Sequence, residues 1–214
     1  MEAGASHFRW TVLIATLAWT GLGLQFYITP GQSMATGKTL GSAITSYLSF
    51  FTILTNLLAA SATTFSSLGS SRLERFFSQP AVLTAIAIYI LVVGVVYSLV
   101  LRELWAPTGS QKVADLLPHE LVPIVYVAFW IFCVPKSGLR WRHAFWYLCY
   151  PLIYLIYTLI RGSFRGTYPY PFLDVGVIGY GRMMANVAVL LIVFLGMGLA
   201  IVAISRKLGQ ANPG

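Results

Sequence analysis

Ala81-Val82-Leu83-Thr84-Ala85-Ile86-Ala87-Ile88-Tyr89-Ile90-Leu91-Val92-Val93-Gly94-Val95-Val96-Tyr97-Ser98-Leu99-Val100-Leu101 is a run of twenty-one residues without a charge. At 1.5 Å per residue such a run spans a hydrocarbon core of about 30 Å. Working outward from it, runs of about 20 mainly apolar residues recur along the chain. They predict spans at roughly 8–28, 44–64, 80–102, 117–135, 143–161 and 183–205. Of the 214 residues, 57% are hydrophobic and only 9% charged, against about a quarter charged in soluble domains. Little chain is left for a soluble domain. The expected fold is all-α: a polytopic membrane protein with one bundle of six transmembrane helices over residues 1–214. The first run is too long for the apolar core of a signal peptide and no small-residue cleavage site follows it, so it reads as a retained helix.

Lys and Arg concentrate on the cytoplasmic side of membrane proteins. A cytoplasmic N-terminus places Arg9, Arg72, Arg75, Lys136, Arg140, Arg142, Arg206 and Lys207 there, eight of the 14 basic residues. Both termini are then expected inside, in a plasma (inner) membrane, and the net charge of +8 reads as a membrane-surface signature. No basic patch with interleaved aromatics points to nucleic acid. Cys133 and Cys149 fall within spans and lack metal-ligand spacing, which predicts core packing. No cofactor and no metal are expected. The longest connections, around 29–43, 103–116 and 162–182, all fall on the outer side, where long loops more often carry sites. No internal repeat suggests the inverted halves of a transporter.

Ionisable groups at membrane depth are functional-site candidates by default. His119 stands in Leu116-Leu117-Pro118-His119-Glu120-Leu121-Val122-Pro123, at the outer mouth of the fourth span. In the second span Thr45, Ser49, Thr52 and Asn56 recur at helical spacing, which predicts one polar face. Small polar residues also glue membrane helices together, so this stripe reads equally as packing. The fifth span carries Tyr147, Tyr150, Tyr154, Thr158 and Arg161 at similar spacing, with Tyr150 and Tyr154 too deep for interfacial anchors. Arg161 closes that span and Arg182 opens the next, with Tyr168-Pro169-Tyr170-Pro171-Phe172-Leu173-Asp174 between them. A hydroxyl nucleophile needs a base, and His is suited to that task near neutrality. His7 and His143 belong to the cytoplasmic side, which leaves His119 to serve a Thr or Ser.

Three motifs carry a resemblance over nearly the whole chain: Phe50-Phe51-Thr52-Ile53-Leu54-Thr55-Asn56, Leu117-Pro118-His119-Glu120-Leu121-Val122-Pro123, and Arg161-Gly162 followed by Tyr168 to Asp174. In these the chain resembles the androgen-induced and androgen-dependent TFPI-regulating protein family of six-span membrane hydrolases, and more closely its bacterial branch. Animal members of that family use a membrane-embedded Thr and a His to hydrolyse fatty acid esters of hydroxy fatty acids. The resemblance implies Thr52 as nucleophile and His119 as base. The same motif can be laid over Tyr47-Leu48-Ser49-Phe50, which keeps Ser49 as a rival nucleophile.

The expected chemistry is acyl transfer from a membrane lipid ester entering from the outer leaflet. Asn56, Arg161 and Tyr170 are candidate donors to the developing negative charge, and Arg161 could instead hold a substrate carboxylate. Tyr154 and Arg182 complete the supporting set. To orient the imidazole, Asp174 is preferred over Glu120, since adjacent helical residues point about 100° apart. Asp174 reads equally as an ion-pair partner of Arg161, Arg165 or Arg182. The alternative function is a non-enzymatic lipid-binding or transport protein whose outer polar cavity holds an anionic lipid through Arg161 and Arg182. A protease is disfavoured, because neither a Gly-x-Ser-x-Gly sequence nor paired membrane carboxylates occur.

Overall fold

The computed structural model of the protein describes residues 2–68, 71–104 and 107–211. Among them there is no strand, and six helices are long and apolar enough to cross a membrane: Gly4–Ala35, Phe51–Leu68, Pro80–Leu104, Ser110–Cys133, Trp141–Arg165 and Val175–Lys207. The chain is an all-α integral membrane protein. Its helices group into two compact units, Met1–Pro135 and Lys136–Gly214.

In the first unit α1 runs from Glu2 to Ala35, helical through Pro30, so the connection expected at 29–43 shrinks to a short turn before α2 (Leu40–Tyr47). Thr39 starts α2 by accepting a hydrogen bond from the Ser42 N–H at 3.3 Å. The second span is not one helix from 44 to 64. It breaks at Leu48–Phe50 and restarts as α3 (Phe51–Leu68). Ser49 Oγ donates to the Ser46 carbonyl at 2.6 Å, and the Ser49 N–H also bonds that carbonyl, at 3.1 Å. Local hydroxyl-to-backbone bonding of this kind competes with helix continuation. The expected four-residue stripe is therefore split: Thr45 lies on α2, Ser49 in the break, and Thr52 and Asn56 on α3.

A short helix, α4 (Arg72–Phe77), precedes α5 (Pro80–Val96), whose first-turn proline lacks only an N–H that would have had no helical partner. Two wide π-helical turns follow in the first unit. One extends α5 over Tyr97–Leu101, and the other, Leu117–Leu121, joins α6 (Ser110–Leu116) to α7 (Val122–Cys133). The fourth span thus starts at Ser110, seven residues before the expected 117. Helix α1 packs on α3, α6 and α7, and α5 packs on α3 and α7. Ile14, Ala18, Ala59, Ala60, Ile86, Ile88, Val122 and Phe129 form the core of this unit, each nearly or fully buried.

Gly21 sits where a Cβ would lie 3.0 Å from the Leu117 Cβ. Gly21→Val should therefore force α1 away from the Leu117–Leu121 turn and cost about 1–3 kcal/mol. Thermal unfolding in detergent checks this, and an unchanged midpoint would mean the two segments can move apart without loss.

In the second unit α8 (Trp141–Trp146) and α9 (Cys149–Arg165) are separated by a turn at Tyr147–Leu148, so Tyr147 leaves the expected fifth-span stripe. Gly166, at φ +66°, ends α9 in the left-handed conformation that glycine adopts without strain. The Tyr168 ring lies on Gly162, where a side chain would collide with it. A 3-10 turn, Pro171–Leu173, leads to α10 (Val175–Ala211), which is interrupted at Gly179 (φ 74°, ψ 161°). Helix α8 rests on α10, with Gly198 against Ala144. Both cysteines are unbridged; Cys133 is half-buried, and Cys149 is exposed rather than packed in a core.

Candidate active site

Proline spacing in the fourth span sets the local geometry. In the turn Leu117–Leu121 the Val122 N–H donates to the Leu117 carbonyl, and position 123 is a proline with no N–H to give. The Pro118 carbonyl is thereby left without a helical donor. A buried carbonyl in this situation needs a partner from elsewhere. Asn56, fully buried on α3, supplies it: its Nδ2 donates to the Pro118 carbonyl at 3.1 Å and to the Thr52 carbonyl at 2.9 Å. One carboxamide thus joins the first turn of α3, which carries Thr52, to the turn that carries His119. Both amide protons of Asn56 are committed, so it is not available as the oxyanion donor considered from sequence. Its Oδ1 is buried and has no hydrogen-bond partner.

His119 is held from its own helix. Nδ1 lies 2.8 Å from the Asp115 carbonyl and 3.2 Å from Asp115 Oδ1. A carbonyl and a carboxylate are both acceptors, so Nδ1 carries the proton and donates. In the neutral ring the lone pair then sits on Nε2, the nitrogen a base requires. Tyr97, in the facing π turn, donates its hydroxyl proton to Asp115 Oδ2. Its ring stacks on the imidazole, with centroids 4.2 Å apart and planes 21° apart. Close approach of the two turns is permitted by Gly94, where a Cβ would stand 3.2 Å from the Pro123 Cβ and 3.4 Å from the His119 carbonyl.

Glu120 faces elsewhere. It accepts from Arg102 at 2.6 Å, and that guanidinium also lies over the Tyr97 ring, 5.5 Å from its centroid. Within the first unit the carboxylate that meets the imidazole is therefore Asp115 and not Glu120. Asp174 belongs to the second unit, where its Oδ1 accepts from the Gly176 N–H at 3.0 Å and caps α10.

Thr52 is buried, 6% exposed, at the second position of α3. Ser49 is buried too, but its hydroxyl proton goes to the Ser46 carbonyl, so in this arrangement it offers none to a base. Of the residues expected from the sequence, Thr52, Asn56 and His119 lie in the first unit, where Asn56 bonds the turns that carry the other two; Asp115 and Tyr97 were not among them. A signal for Asp115 was present, since it precedes His119 by four residues and so shares its helical face.

Tyr154, Arg161, Tyr170, Asp174 and Arg182 all belong to the second unit. Tyr154 and Thr158 are buried on α9, and Arg161 Nη1 donates to the Thr167 carbonyl at 3.0 Å while its Nε is buried without a hydrogen-bond partner. Tyr170 is buried and stacks on Phe172, whereas Arg182 is exposed. Among the described residues no group of three or more His, Cys, Asp and Glu side chains is placed to hold a metal. Comparison of the chain with protein-family models, curated proteins and solved structures gave no match.

Proposed function

We propose that this protein is a membrane-embedded hydrolase of lipid esters, with Thr52 as nucleophile and His119 as general base. The observation that carries the reading is the Asn56 bridge, which brings the turn bearing a buried threonine against the turn bearing a histidine whose Nε2 is the unprotonated nitrogen. Fatty acid esters of hydroxy fatty acids are the substrate class that the family resemblance supplies.

In the reaction Thr52 Oγ attacks the ester carbonyl carbon as His119 Nε2 takes the hydroxyl proton. The carbon–oxygen bond to the alcohol breaks, and the alcohol leaves with the proton His119 had taken. Water, deprotonated in turn by His119, attacks the carbonyl of the Thr52 ester; the bond from that carbon to Thr52 Oγ breaks, the carboxylic acid leaves, and Oγ takes back the proton from His119. Lys and Arg placement favours both termini in the cytoplasm, which directs this end of the first unit toward the outer leaflet of a plasma, or inner, membrane.

The test is labelling of the detergent-purified protein with an alkyl fluorophosphonate, followed by peptide mass spectrometry. An adduct on Thr52 that is lost in His119→Ala is expected. An adduct on Ser49 would move the nucleophile across the helix break. Absence of any adduct on folded protein would overturn the hydrolase and favour a lipid-binding or transport protein.

A further inference from the structure

We infer that Asp115 is a positioning residue for His119, and that Tyr97 acts through Asp115 by fixing its carboxylate; the inference rests on the hydrolase reading above. Asp115 is itself nearly buried, with a side chain 9% exposed, and its two oxygens are divided between two partners. Oδ1 stands 3.2 Å from His119 Nδ1, and Oδ2 accepts the Tyr97 hydroxyl proton. A carboxylate at membrane depth is costly unless its oxygens are paired, so its presence needs a reason. The Asp115 backbone carbonyl, 2.8 Å from the same Nδ1, already suffices to select the tautomer. What the carboxylate adds is charge.

When His119 takes the Thr52 proton the ring becomes a cation, and the anion in contact with it is Asp115. Glu120, the residue after His119, is already paired with Arg102 at 2.6 Å. The Tyr97 ring, lying flat on the imidazole, limits rotation about its side-chain bonds, while the Tyr97 hydroxyl keeps Asp115 from turning away. Outer partners of this kind typically change activity by about 10–100-fold. They act on the step in which charge forms, not on ground-state binding.

The experiment compares Asp115→Asn, Tyr97→Phe and the double variant in the full-length protein in detergent. Two readouts are taken: hydrolysis of an oleate ester of a hydroxy fatty acid, and proton–nitrogen spectra of protein carrying labelled histidine, with the His119 signal assigned by its absence in His119→Gln. In Asp115→Asn kcat should fall about 10–100-fold with KM within about twofold. Tyr97→Phe should fall less, and the double variant should be no worse than Asp115→Asn alone, because Tyr97 works through Asp115.

The Nδ1–H proton signal of His119 should move upfield in Asp115→Asn as the carboxylate is replaced by a neutral amide. An unmoved signal overturns the contact, and a moved signal with unchanged kcat overturns the positioning role. Additive losses in the double variant remove Tyr97 from it. A signal that moves in Asp115→Asn while the wild-type protein hydrolyses no ester overturns the hydrolase reading and leaves the Asp115–His119 clamp in place.

Discussion

Thr52→Ala and His119→Ala are each expected to abolish ester hydrolysis, lowering kcat/KM by about a thousandfold or more, because a nucleophile and its base fail as a unit. The double variant should be no slower than either single one. Thr52→Ser should keep activity within about tenfold, since it retains the attacking oxygen and loses only a methyl group that fixes the rotamer. The measurement is release of fatty acid from a hydroxy fatty acid ester in detergent micelles, with circular dichroism to confirm that each variant is folded. Ser49→Ala separates the two hydroxyl candidates. It should leave the rate within about twofold, because Ser49 Oγ already donates to the Ser46 carbonyl and its loss removes a local backbone contact. Full activity in Thr52→Ala would sink the assignment, and activity that follows Ser49 would show that the break at Leu48–Phe50 opens in the working protein.

The six spans were legible because membrane crossing is a matter of composition and length: a charge-free run such as 81–101 has few other uses. Interruptions within spans were harder to read. Neither Gly nor Pro marks the break at Leu48–Phe50, which Ser46 and Ser49 make through a side-chain bond to backbone. The break at Tyr147–Leu148 did carry a signal, since Pro151 fits the first turn of a new helix and would disrupt the middle of a long one.

Asp115 was overlooked for a related reason. It lies before residue 117, the expected start of the fourth span, in what read as loop, whereas the helix begins at Ser110 and puts Asp115 on the His119 face. The bridging role of Asn56 was not legible in the sequence. A buried amide looks like a donor to substrate until the Pro118–Pro123 spacing is followed through to the carbonyl it leaves unpaired. That step needs two distant segments at once, so only the fold reveals it.

The same argument makes Asn56→Asp the most damaging conservative change in the first unit. Aspartate has nearly the shape of asparagine but, when ionised, offers only acceptors. It would then direct a buried negative charge at the carbonyls of Thr52 and Pro118, which Asn56 now meets at 2.9 and 3.1 Å. If it takes up a proton instead, it has one donor where Asn56 has two, so one of the two side-chain bonds is lost. For the ionised side chain the loss should be about 3–5 kcal/mol, the range for an uncompensated buried charge, or a failure to recover folded protein; the protonated one keeps a bond and loses less. Asn56→Leu removes both bonds without adding a charge and should cost less, about 1–3 kcal/mol. Unfolding midpoints of the two variants in the same detergent decide the matter. At a pH that keeps it ionised, aspartate should fall below leucine, an order that side-chain size alone does not produce. Were Asn56→Asp as stable as the native protein, the carboxamide would not be what holds the Thr52 turn against Pro118, and helix packing alone would have to do so.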